Sequence, residues 1–479
     1  MDFRVLSPFP SDFLWGGSSS AYQSEGAVRT EGKGLSVQDV MPKMPGTAGF
    51  RVAVDHYFNF KQDIAMLAEM GFKAYRFSIS WSRLLPTGRG LVNPLGVQHY
   101  HQVIDQCLAY GIQPIVTLYH FDLPWDLHVA GGWNNRRTID DFVAYCELCF
   151  KEYGSQVPYF LTINEQNMMI MYNTGLYGSD RRRWQACHNM LVASAKAMAS
   201  CHRLCPAKIG PAPNIANIYP ATASPADVKA ASDFDEIRNH IFIQPLTDGT
   251  YPGPALAWLR SIGCEPDCSD DDRQLLRQAH PDFLAFNYYG GETVRYVDRS
   301  QGMAIKARGR HYWRLLRGME AFKKDFVNAK LTLPGVCTPV YNPLQEHTAY
   351  GMGLDPIGLQ VTLRQLYERY QLPLLITENG CGAADELQAD GTIHDDYRID
   401  YLRRHILACR RAITEGVPLV GYCPWSAFDL ISTHQGITKR YGFIYVDRDE
   451  HHIRQLRRIR KDSFYWYQKV IASNGQDLG

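Results

Sequence analysis

The 479-residue chain carries almost no net charge: 50 lysines and arginines stand against 49 aspartates and glutamates, a formal balance of +1. That excludes a broad basic surface gathering nucleic acid or acidic membrane by counterion release, so any anionic partner must be met locally. No apolar run approaches the roughly 18 residues that span a bilayer. The opening stretch, MDFRVLSPFPSDFLWGG, lacks the apolar segment of a secretion signal and carries Pro8 and Pro10, so the sequence predicts a cytosolic protein. Repeats, low-complexity tracts, charge blocks and Pro/Gly/Ser linkers are missing as well, which excludes a string of small modules. Cysteine is not scarce, but its 12 copies are spread over the whole chain, unlike the disulfide framework of a short secreted domain. Cys146 and Cys149 have metal-like spacing, yet they fall in the amphipathic run DDFVAYCELCF with no second pair at zinc-ribbon distance. They read as core thiols, and no metal site is expected.

What is present is the balance of a folded globule, 45% hydrophobic and 21% charged. About 150 residues per domain would give three domains, unless the architecture is one of the large barrels. A unit recurs: short runs rich in β-branched and aromatic residues alternate with stretches of helical period. The runs are FLWGGSS (13–19), AYRFSIS (74–80), PIVTLYH (114–120), YFLTINE (159–165), KIGPAPN (208–214), DFLAFNY (282–288), PLLITEN (373–379) and LVGYCPW (419–425). Between them, Phe60, Ile64, Leu67 and Met70 share one helical face, and Tyr100, Ile104, Leu108 and Ile112 share another. Gly71 and Gly111 close these two helices. Eight strands separated by helices predict an α/β fold, a single (β/α)₈ TIM barrel with long βα loops covering residues 1–479. Such a barrel needs about 250 residues, so roughly 230 remain to wall a deep pocket.

Barrel enzymes carry their chemistry where the strands end. Here Glu165 closes the fourth strand, Glu378 the seventh, His120 the third, Asn287-Tyr288-Tyr289 the sixth and Trp425 the eighth. One carboxylate at a strand end reads equally as a solvated loop residue. Two, three strands apart, project across the mouth into the same space, the arrangement that glycosidic cleavage requires.

The segments FLWGGSSSAYQSEGA, RFSISWSRLLPTG, YHFDLPWDL, TINEQ, NYYG, LLITENG, GYCPWSAFDL and KRYGFIYVD follow one another in the order of a known family. Along nearly its whole length the chain resembles glycoside hydrolase family 1, the retaining β-glucosidases and 6-phospho-β-glucosidases. The resemblance implies a (β/α)₈ barrel, no cofactor, and hydrolysis of a β-linked glycoside with retention. By motif position Glu165 is the acid/base and Glu378 the nucleophile, with carboxyls about 5 Å apart, the retaining separation. Arg76 resembles the arginine that keeps the nucleophile ionised. Tyr289 resembles the tyrosine that steadies it, with Asn287 nearby. Asn164 corresponds to the donor to the sugar 2-hydroxyl, Gln23 and His120 to residues that bind ring hydroxyls, and Trp425 to an apolar platform under the pyranose.

Substrate class turns on the stretch from Trp425 to Tyr441. Ordinary β-glucosidases of the family carry Glu seven residues after the tryptophan, where this chain has Ser432. A carboxylate there would repel a 6-phosphate, whereas a hydroxyl donates to it. Ser432, Lys439 and Tyr441 match the pattern of the 6-phospho-β-glycosidases, a point cation and two hydroxyls around a dianion. Thr433 stands where phospho-β-galactosidases tend to have tryptophan, which leans toward glucose. Met352 replaces the family's common aglycone tryptophan, and Trp125 is an unusual residue read as lining the entrance. The sequence therefore predicts a phosphorylated β-glycoside as partner, with no nucleic acid or membrane, and leaves the oligomeric state open. An unphosphorylated β-glucosidase or β-galactosidase, a 6-phospho-β-galactosidase and a catalytically silent sugar-binding relative stand beside this reading.

Overall fold

The computed structural model describes residues 5–172, 177–315 and 331–479. Eight parallel strands curl into a closed barrel. They are β1 Leu14–Ser18, β2 Ala74–Ser78, β3 Gln113–Tyr119, β4 Tyr159–Asn164, β5 in two pieces (Lys208–Ala212 and Asn214–Pro220), β6 Leu284–Tyr296, β7 Leu374–Glu378 and β8 Leu419–Tyr422. Neighbours in sequence are neighbours in the sheet, and β8 closes onto β1 with Gly421 opposite Leu14 and Tyr422 opposite Trp15. A main helix follows each strand: α1 His56–Met70, α2 Pro94–Ala109, α3 Arg137–Tyr153, α4 Asp180–Leu204, α5 Pro225–Arg238, α6 Pro356–Tyr370, α7 Asp396–Thr414 and α8 Asp462–Ala472. The predicted barrel is the observed fold.

Strands enclosed on both faces are apolar almost throughout rather than alternating, and every residue of β1, β2 and β7 is buried. Inside the barrel, Leu14, Ala74, Ile115, Leu161, Ala212, Ala285, Leu375 and Cys423 form one packed layer. Outside it, a larger layer joins strands to helices, with Ile64, Leu67 and Met70 of α1 fully buried there. All 12 cysteines are free thiols, and Cys146 and Cys149 lie fully buried in α3. Among the described residues no helix is long and apolar enough to cross a membrane.

Three sequence expectations need correction. Leu108 is 40% exposed while Cys107 is buried, because steps of four residues drift around a 3.6-residue helix and the core face passes from 104 to 107. The fifth strand does not end at Asn214: Pro213 interrupts it, and a second piece runs on to Pro220. The first piece pairs with β4 and the second with β6. The sixth strand continues past Tyr288 to Tyr296, where its outer end pairs antiparallel with Cys337–Pro339. Gly71 and Gly111 adopt positive φ at the ends of α1 and α2, as predicted.

Candidate active site

The barrel brings the predicted chemical residues to one mouth. Glu378 is the last residue of β7 and Glu165 the first after β4. Glu165 sits at φ +44°, and its N–H donates to the Ala212 carbonyl at 2.8 Å. A left-handed non-glycine residue costs about 1–2 kcal/mol. It is kept where the surroundings over-determine it, a frequent property of functional sites.

Arg76, fully buried on β2, spends its guanidinium on three partners. Nη1 donates to Glu378 Oε1 at 2.5 Å, Nη2 to Asn164 Oδ1 at 2.6 Å and Nε to Thr117 Oγ1 at 2.7 Å. The Tyr289 hydroxyl donates to the other Glu378 oxygen at 2.7 Å. Asn287 joins Glu165 to this network: its Nδ2 donates to Glu165 Oε1 at 3.0 Å and to the Asn164 Oδ1 that Arg76 also holds, at 3.1 Å. The Thr377 hydroxyl donates to Asn287 Oδ1 at 2.8 Å, which fixes the amide's orientation.

Burial is the largest influence on Glu378 and, with the nearby Glu165 carboxylate, pushes it up to about 7 against the pull of Arg76 and Tyr289. Yet both donors suit the ionised form, one on each oxygen. The arrangement therefore favours one negative charge over two in the pocket. His120 is driven well below the usual imidazole range by burial and by Arg76, so its ring is neutral. That ring lies parallel to the Trp425 indole, 5.8 Å between centroids and 13° between planes. Its Nε2 is 3.4 Å from Asn164 Nδ2, and its buried Nδ1 has no hydrogen-bonding protein partner among the described residues.

The segment after β8 forms the adjacent wall. Trp425 and Tyr441 join Leu430 in a small apolar cluster against which Tyr289 packs, and the Trp425–Ser426 peptide is cis. Gln23 is tied to this wall: its Nε2 donates to the Ile431 carbonyl and its Oε1 accepts from Ser20, both at 2.8 Å. Ser432, also buried, donates its N–H to the Gly436 carbonyl at 2.8 Å. Thr433 shares a hydrogen bond of 2.8 Å with the Tyr22 hydroxyl. Lys439 is 5% exposed and its ammonium stands 5.3 Å from the Tyr441 ring centroid. Met352 closes in from the β6–α6 loop, its sulfur 4.0 Å from Lys439 Nζ. Trp125 opens the short helix Trp125–Val129 and stacks on His128 with 5.1 Å between centroids.

Sequence reasoning missed several supports. Asn214 donates to Glu165 Oε1 at 2.9 Å and is itself held by Arg238, whose Nη2 donates to Asn214 Oδ1 at 2.7 Å. Asn214 ends the run KIGPAPN, so the strand-end criterion that found the glutamates would have found it. Thr117, Thr377 and Arg238 give no such signal. Elsewhere, His188, Cys268 and Asp272 bring potential metal-ligand atoms within 4.8 Å of one another. There Asp272 already accepts from the Ser269 N–H as part of a helix cap and from Arg136, and it shares a hydrogen bond of 3.2 Å with His188 Nε2.

The chain is 42% identical over 485 residues to aryl-phospho-beta-D-glucosidase BglC of Bacillus subtilis, covering 98% of both chains. It is 39% identical to 6-phospho-beta-glucosidase AscB of Escherichia coli, over 99% of this chain and 100% of the relative. In structure it resembles the family 1 β-glucosidase of Thermotoga maritima with a TM-score of 0.86 at 34% identity, covering 99% of this chain and 100% of that one. The sequence model of Glycosyl hydrolase family 1 matches residues 5–476, and the chain belongs to that family.

Proposed function

We propose that the whole chain is one catalytic barrel that hydrolyses 6-phospho-β-D-glucosides with retention, releasing glucose 6-phosphate and the aglycone. Glu378 attacks the anomeric carbon. Glu165 protonates the departing oxygen and then deprotonates the water that frees the sugar. The double displacement calls for carboxyls about 5 Å apart. Arg76 and Tyr289 hold the nucleophile's charge and Asn287 orients the acid/base. Asn164 serves the 2-hydroxyl, where a hydrogen bond strengthens as the oxocarbenium ion develops. His120 offers its unpartnered Nδ1 to a ring hydroxyl, Gln23 braces the wall beside it, and Trp425 lies under the sugar.

The observation that carries the substrate class is Ser432, an uncharged residue on the segment that also bears Lys439 and Tyr441. Relatives named for phosphorylated β-glucosides, 42% and 39% identical over nearly the full chain, support the reading. A phosphorylated sugar belongs to the cytosol, where the proposal places the enzyme. The test is kcat/KM on an aryl β-glucoside and on its 6-phosphate. A preference of orders of magnitude for the phosphate is expected, and an equal or better rate on the plain glucoside would overturn the assignment.

A further inference from the structure

We infer that Tyr350 is a specificity-determining positioning residue, clamping the Lys439 ammonium against Tyr441 so that it meets the 6-phosphate in a fixed place. The inference rests on the reading of Lys439 as a phosphate contact. Lys439 Nζ lies 4.7 Å from the Tyr350 ring centroid and 5.3 Å from that of Tyr441, with the Met352 sulfur at 4.0 Å. Both rings stand at distances where the aromatic quadrupole attracts an ammonium. The stem is confined as well. A Cβ on Gly382 would fall 2.6 Å from Lys439 Cγ, 3.1 Å from its Cε and 3.1 Å from Tyr441 Cζ, so the bare backbone of Gly382 is what lets the lysine pass.

Tyr350 is itself set in a short, braced loop. Glu346–His347 pairs with Gly353–Leu354, the Met352 carbonyl accepts from the Thr348 N–H at 2.8 Å, and the Gly351 N–H donates to the Thr348 carbonyl at 2.8 Å. A lysine free to rotate loses rotamer freedom when it binds an anion, whereas one already caged has lost it beforehand, which improves affinity without a new contact. The same loop carries Met352 on the aglycone side, so the residues that meet the leaving group also position the cation for the phosphate.

The experiment compares kcat/KM for an aryl 6-phospho-β-glucoside with that for the unphosphorylated glucoside, as a ratio, in wild type, Tyr350→Leu, Tyr350→Phe, Gly382→Ala and Lys439→Ala. Tyr350→Leu is expected to lower the ratio about tenfold, chiefly through KM for the phosphorylated substrate, and Tyr350→Phe to keep most of it because the ring remains. Gly382→Ala, which removes no polar group, is expected to lower the ratio by displacing the lysine stem. A packing defect would lower both arms together and leave the ratio unchanged, and that outcome overturns the inference. If wild type prefers the phosphate and Lys439→Ala abolishes the preference while Tyr350→Leu and Gly382→Ala retain it, only the clamp fails. If wild type shows no preference, the proposed substrate and the clamp fall together.

Discussion

Arg76 and Glu378, reaching in from β2 and β7, form a sealed ion pair with Nη1 2.5 Å from Oε1. A cation at that distance favours the charged carboxylate, so its removal raises the pH at which Glu378 ionises. Arg76→Gln should therefore move the acid limb of the kcat/KM profile upward by about one unit or more, with a fall in kcat. A limb that stays where it is in wild type would separate Arg76 from the nucleophile's ionisation.

Glu378 also couples stability to pH. It binds its proton more tightly in the folded chain, at about 7, than its ordinary value of 4.5. The stability this contributes is complete below pH 4.5 and drains away as pH rises through about 7. Glu378→Gln has no proton to lose, so its Tm should gain on that of wild type between about pH 5 and pH 8 while turnover falls at least about a thousandfold. Thermal unfolding of the two proteins across that range is the check, and parallel curves would count against the buried, raised carboxyl.

The acid/base should reveal itself through the leaving group. Protonation by Glu165 matters most when the departing oxygen is strongly basic, and general acid catalysis is worth about 10²–10⁴-fold. Glu165→Gln is expected to lose far less of the glycosylation rate on an aryl glycoside with an acidic phenol than on a disaccharide. Equal losses on both would assign the proton donor elsewhere.

Behind the Tyr441 segment lies a buried charge network. Burial alone would raise Asp385, but Lys461 and Arg398 overcome it and hold the carboxyl at about 2. Lys461 Nζ stands 2.5 Å from Asp385 and 2.7 Å from Asp429, while Arg398 binds Asp385 at 2.8 Å and the Tyr441 carbonyl at 2.7 Å. Because the folded value is depressed, the stabilisation is present above the ordinary 3.8 and is lost only as pH falls through about 2. Lys461→Met leaves Asp385 with Arg398 and Asp429 with Arg440 as their remaining counter-charges, and a loss below the about 3–5 kcal/mol of a fully broken buried pair is expected in urea unfolding at neutral pH.

Much of this architecture could be read from the chain. Glu165, Glu378 and Trp425 announce themselves because parallel strands end in loops and each lies at or near such an end, within a few residues of an apolar run, whereas Asn287 proves to lie inside a strand that continues to Tyr296. Arg76 was legible only through its motif, since an arginine inside a strand has no local sign of what it faces. Arg238 and Thr117 were invisible for the same reason: their partners arrive from other strands, and no pattern in their own segments encodes the meeting. Tyr350 lies in a loop whose fold depends on pairing with residues several positions away. Leu108 shows the opposite case: it continues the four-residue spacing of Tyr100 and Ile104, but that spacing drifts off the buried face of a 3.6-residue helix and leaves it exposed.

Pro213 has a consequence for how such a barrel can change. Proline offers no N–H to a neighbouring strand, and the wall divides there: Ala212 packs into the inner layer below, while Asn214, paired with Asn287 above, serves Glu165. Foundation and superstructure are thus separate pieces of masonry. A designer exchanging the outer stretches of β5 and β6 for another specificity should begin above Asn214 on β5 and beyond Glu292 on β6, so that Tyr289 stays on Glu378 and Glu292 stays on Arg238, and both the foundation and the acid/base support are left standing.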